Sequence, residues 1–114
     1  MVDPKRQVDI WSVYVDGSSA QEGVGAGILF RGPDKEEFKC SIKFTFSITN
    51  NAAEYEALLA GLRLARRIWA DRVKVFVDSQ LVACQVIGEY EVKNPILKAY
   101  NALVKQLWRK FSQI

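Results

Sequence analysis

A chain of 114 residues and 12.9 kDa has room for one domain and not two. Its 49% hydrophobic and 25% charged residues are the balance of a globular domain rather than a disordered one. The chain has no histidine, and Cys40 and Cys84 form no Cys-x-x-Cys, which excludes Ser-His-Asp triads, Cys-His dyads and the common zinc sites.

Charge is unevenly placed. Residues 1–62 hold six Lys/Arg against nine Asp/Glu, and residues 63–114 hold ten against four, so a net −3 half meets a net +6 half within the overall +3. A basic half is compatible with a polyanion partner, but on charge alone it reads first as a solubilising surface. No apolar run reaches the ~20 residues of a membrane span, so no membrane partner is expected. Met1 to Gln7 forms a polar leader without the apolar centre of a secretory signal. Two lone thiols then fit a reducing intracellular compartment, cytoplasmic or nuclear.

Residues 8–16 alternate around Val8, Ile10, Trp11, Val13 and Val15 and predict a strand. Residues 24–31 predict a second strand with a small-residue centre, and Gly32-Pro33-Asp34-Lys35 a turn. Residues 36–46 place Phe38, Cys40, Ile42, Phe44 and Phe46 on one face of a third, half-exposed strand. The short connections imply an antiparallel meander. The period then changes. Tyr55, Leu58, Leu59, Leu62, Ala65 and Trp69 predict a helix from Asn51 to Trp69. Residues 73–77 form a short strand, which a right-handed crossover makes a parallel neighbour of the first. Residues 79–87 predict a short helix broken by Gly88, and Pro95 opens a last helix. Its stripe runs through Ile96, Leu97, Tyr100, Leu103, Val104, Leu107, Trp108 and Phe111. The three tryptophans read as core rather than base-stacking platforms; the basic rows Arg63, Arg66, Arg67 and Lys98, Lys105, Arg109 read either as phosphate contacts or as solvated helix faces and are given no site role. The sheet lacks a closing strand, so residue 114 reads as a truncation point or a natural fragment end.

Three carboxylates stand out. Asp16 and Asp78 end the first and fourth strands in similar contexts, VYVDGS and VFVDSQ. On parallel neighbours both would lie at the carboxyl ends, where open α/β sheets bind ligands. Asp16 also reads as a turn aspartate before glycine, and Asp78 as a cap beside Ser79. Glu54 has capping-box spacing from Asn51, yet lies one turn before Leu58 on the sheet-facing stripe, whereas Glu56 points to solvent. A carboxylate on that inner edge needs a partner. An ion shared with Asp16 and Asp78 would supply one, and three carboxylates without histidine favour Mg²⁺ or Mn²⁺.

The segments around Asp16-Gly17-Ser18, NNAAEYEALLAGLRLA and VDSQLV together resemble type 1 ribonuclease H. The details GAGILF and GEYEVKNP look most like the ribonuclease H domain of plant LTR-retrotransposon polyproteins. The likeness runs from about residue 8 to the end, giving a 1–7 leader and an 8–114 domain. It implies an α/β fold: a mixed sheet of three antiparallel strands and then a parallel one, with helices packed on it and the family's final strand and helix absent. It also implies a metal-dependent endonuclease that hydrolyses the RNA strand of RNA–DNA hybrids by two-metal in-line water attack. Asp16, Glu54 and Asp78 would be catalytic and would hold two Mg²⁺, or Mn²⁺ in their place. Gly17, Ser18, Asn50, Asn51, Ser79 and Gln80 would contact substrate. A reverse transcriptase in the same polyprotein is the implied partner. The family's fourth acid matches no residue here, so the alternative is a catalytically impaired fragment that binds nucleic acid or protein.

Overall fold

A computed structural model describes residues 10–20, 23–44 and 48–111. The 1–7 leader, Val8, Phe46 and residues 112–114 lie outside the described residues. The elements follow the order β1 (Ile10–Ala20), β2 (Gly23–Arg31), β3 (Glu37–Phe44), α1 (Asn50–Arg67), β4 (Arg72–Val77), α2 (Gln80–Ile87) and α3 (Pro95–Trp108).

The sheet has the order β3-β2-β1-β4. β1 and β2 pair antiparallel, as do β2 and β3, and β4 joins β1 in parallel with Val15 opposite Val77. The meander and the crossover through α1 thus have the arrangement that the short turns and the change of period predict.

One sheet face carries the core. Val13 and Val15 of β1 and Ile28 and Phe30 of β2 alternate onto it and are buried. Tyr55, Leu58, Leu62 and Ala65 of α1 pack there from above, at the spacing of one helical face. Each such large apolar side chain contributes about 1.5–3 kcal/mol relative to exposure. α3 lies along α1, and Tyr100 Oη donates to Glu56 Oε1 at 2.7 Å. Glu56 is therefore half-buried and engaged rather than turned to solvent as its position predicts.

Two further expectations change. The buried stripe of α3 is Leu97, Asn101 and Val104, continued by Phe111 beyond the helix, while Ile96 and Leu103 are exposed. α1 ends at Arg67, not Trp69. Trp11 and Trp108 are half-buried against the core, but Trp69 is 91% exposed and is not a core residue. Helical spacing carried the stripe past the point where the chain leaves the helix.

Candidate active site

Asp16 and Asp78 each follow one residue after the paired Val15 and Val77, so they occupy equivalent positions on adjacent parallel strands. The Asp78 amide donates to the Val15 carbonyl at 3.2 Å, which keeps the strand ends together. Because side chains alternate along a strand, both aspartates leave the sheet on the face opposite the core valines. Both are exposed and line one open cleft of about 560 Å³, together with Tyr14, Lys39, Ser41 and Phe76. Gly27 lies opposite Asp16 on β2 and contributes no side chain, which leaves space beside the carboxylate.

Glu54 approaches the same junction from α1. Its side chain is 2% exposed. Oε2 accepts from the Gly17 amide at 2.7 Å and Oε1 from the Asp78 amide at 3.2 Å. One carboxylate thereby fastens the ends of β1 and β4 to the helix. Burial pushes its pKa up from the ordinary value; amides of Gly17, Asp78 and Ser79 pull it down by less, and the negative charge of Asp16 adds to the rise.

The three acids gather at one junction, but among the described residues no three His, Cys, Asp or Glu side chains are placed as a metal-ligand group. Each Glu54 oxygen accepts one backbone amide and keeps a further lone pair. The capping box is also absent, because the N-cap of α1 is Thr49, whose Oγ1 accepts from the Ala52 amide at 3.2 Å.

The donor chemistry at the junction still fits a hard divalent cation. All the donors are carboxylate oxygens, and the charge on Asp16 already opposes ionisation of Glu54, a repulsion that a cation would relieve. Asp16 and Asp78 are the side chains presented to the cleft.

The remaining predicted contacts divide. Gly17 sits where a Cβ would lie 2.7 Å from the Glu54 amide nitrogen, so only glycine allows β1 to approach α1 this closely. Ser18 continues β1 opposite Gly25, its side chain lying outside the described residues. Asn50 is the exposed first residue of α1. Asn51 is half-buried, and its Oδ1 accepts from Ser79 Oγ at 3.4 Å. Ser79 is the N-cap of α2, accepting from the Val82 amide at 3.2 Å, and Gln80 is exposed beside it. Of the amide-bearing residues, Asn51 is the one bonded to Ser79, next to Asp78.

Sequence reasoning missed the cleft wall. Tyr14 and Phe76 stack at 4.6 Å, Arg31 lies over Tyr14 and Lys74 over Phe76, and Lys39 stands across the cleft. The signal was available, since Tyr14 and Phe76 share the strand parity of Asp16 and Asp78.

This fold and acid junction define a ribonuclease H-like domain. The family model described as "Reverse transcriptase-like" matches residues 14–114, and the chain belongs to that family. Bifunctional protein Rv2228c of Mycobacterium tuberculosis is 45% identical over 65 residues, covering 54% of this chain and 18% of that protein. Ribonuclease HI of Halobacterium salinarum is 36% identical over 63 residues, covering 55% of this chain and 32% of that protein. The matches therefore span well under half of these curated relatives. Among solved structures, RNase H1 of Halobacterium salinarum superposes with a TM-score of 0.78 at 29% identity over 90% of this chain and 80% of that one. The N-terminal RNase H domain of Rv2228c, solved as a fusion with maltose-binding protein, gives 0.76 at 32% identity over 90% and 76%. LC11-RNase H1, solved in complex with an RNA/DNA hybrid, gives 0.71 at 28% identity over 89% and 78%.

Proposed function

We propose that the chain is a ribonuclease H-type hydrolase domain that cuts the RNA strand of RNA–DNA hybrids and depends on a divalent cation. The observation that carries this reading is the placement of Asp16 and Asp78 side by side at the carboxyl ends of adjacent parallel strands, with Glu54 fastened across both ends. A structural relative bound to an RNA/DNA hybrid supports the substrate class.

In this reading the cleft receives the scissile phosphodiester, and Asp16 and Asp78 orient a water in line with the departing 3′ oxygen. The products are a 5′-phosphate and a 3′-hydroxyl. Mg²⁺ or Mn²⁺, held by Asp16 and Asp78 beside Glu54, would neutralise phosphoryl charge and make water a better nucleophile. Asn50, Asn51 and Gln80 would contact the minor groove, where 2′-hydroxyls distinguish RNA from DNA. Lys39 supplies a cation across the cleft for backbone phosphate. A role beside a reverse transcriptase in a retrotransposon polyprotein is consistent with the family.

That no three acids are placed as a ligand group among the described residues favours a second reading, a module that binds hybrid without turning it over. Cleavage of an end-labelled hybrid in Mg²⁺ and in Mn²⁺ separates the two. The native chain is expected to cut, and Asp78→Asn to lose about a hundredfold or more in rate. Equal rates from both preparations, or silence from both, would reject the hydrolase reading.

A further inference from the structure

Trp69 combines two costs that stability alone does not explain. It lies in the left-handed region at φ 63°, the position after the α1 C-cap where glycine is the usual residue. Its amide donates to the Arg66 carbonyl at 3.1 Å, and the next amide, Ala70, donates to Ala65 at 2.9 Å, a complete Schellman pattern. A residue with a Cβ pays about 1–2 kcal/mol for that conformation. The indole gains no burial in exchange, being 91% exposed.

The surroundings are cationic. Arg66 and Arg67 form the last turn of α1, with Arg63 a turn earlier. Arg66 Nη1 donates to the Lys110 carbonyl at 3.3 Å, which brings Lys110 and Arg109, just past α3, to the same end of the molecule. A shallow depression between the two helices is lined by Arg63, Arg109 and Lys110 together with Leu59, Leu103 and Leu107. No carboxylate occurs in residues 57–70 or 92–111, and Asp71 is the nearest in sequence. Basic residues at a helix C-terminus complement its dipole, which accounts for Arg66 and Arg67. The same rule covers Arg109 and Lys110 at the end of α3; it does not account for a bare indole at this end of the molecule.

We infer that this surface binds single-stranded nucleic acid, with an unpaired base stacked on Trp69 and the adjoining phosphates on Arg63, Arg67, Arg109 and Lys110. Stacking needs a base face that a duplex hides, and every base has such a face, so the site is tolerant of sequence. Ile68 and Leu103 are also exposed, but the density of arginine and lysine around the ring favours a polyanion, for which the indole provides a platform and the cations a track for phosphates. The surface lies at the start of β4 and the acid junction follows its end, about 20 Å away at 3.3 Å per residue. An overhang could therefore occupy it while a duplex lies over the cleft. The inference stands apart from the hydrolase reading, because binding is measured without cation and on unpaired strands.

The test is fluorescence anisotropy of labelled 12-nucleotide single-stranded DNA and RNA in EDTA, over a range of salt. The native chain is expected to bind with a salt-dependent affinity. Trp69→Gly should weaken binding about tenfold while unfolding at a temperature no lower than the native chain, since glycine suits the left-handed position. Trp69→Phe should retain part of the affinity, and Arg67→Ala should lower the salt slope by about 1. Equal affinity of the native chain and Trp69→Gly would overturn the assignment, as would no binding at low salt. Self-association that Trp69→Gly abolishes, without oligonucleotide binding, would make the surface a protein contact and overturn it too.

Discussion

At Glu54 a carboxylate that helical spacing turns toward the sheet meets the Gly17 and Asp78 amides, and burial raises its pKa despite them. The consequence for stability has a definite sign. Between the ordinary value of 4.5 and the raised folded value, the native state holds more protons than the unfolded chain, so stability falls as pH rises through that window. Glu54→Gln keeps one acceptor but turns an NH₂ toward the other amide, which at about pH 4 should cost about 1–3 kcal/mol. The native chain pays for the buried charge above the window and the glutamine does not, so the gap should narrow toward neutral pH. Urea midpoints of the two proteins at both pH values measure it; a gap that widens with pH contradicts the account. The sequence shows that this carboxylate needs a partner. It does not show that the partner is backbone, because amide donors at strand ends have no signature in residue identity.

Three helices meet on a small polar network. Tyr55 Oη donates to Gln85 Oε1 at 2.8 Å, and Asn101 Nδ2 donates to Tyr55 Oη and to the Gln85 carbonyl, each at 3.2 Å. Gln85 and Asn101 are buried, so the bonds lock α1, α2 and α3 in one register. Asn101→Leu retains volume but removes two buried hydrogen bonds, and it should cost about 1–3 kcal/mol. Combined with Tyr55→Phe, the loss should be smaller than the two single losses together, by about 0.5 kcal/mol or more. Denaturant unfolding of the four proteins in the cycle measures this, and strict additivity would dissolve the network. At this scale the order of strands and helices is legible, because alternation and helical spacing are long and strong in β1, β3, α1 and α3. Helix ends are less so. Thr49 rather than Asn51 caps α1, and Trp69 closes it without the glycine that announces Gly88, the φ 88° cap of α2. Asn101 was visible as a polar residue four positions after Leu97 and three before Val104; a reading that followed only apolar residues admitted Ile96 and Leu103 instead.

For the molecule as a whole, the sheet order leaves β4 at an edge, paired on one side with β1 and, among the described residues, with no strand on the other. The strand reads RVKVFV, and beside it Val75, Val77, Val86, Ile87 and Trp108 line an apolar groove between β4, α2 and α3. Main-chain donors and acceptors next to an apolar trough are what an added strand needs. Lys74 is the charge in the middle of this edge, exposed with its ammonium over the Phe76 ring. Burying or crowding that ammonium against an incoming strand is costly, so Lys74 disfavours edge-to-edge pairing here. Lys74→Val should therefore associate at concentrations where the native chain scatters light as a single species, and Lys74→Glu should remain dispersed because either sign of charge serves. Static light scattering across a dilution series reads the difference. If Lys74→Val scatters like the native chain, the protection of this edge lies in its twist and short length rather than in the lysine.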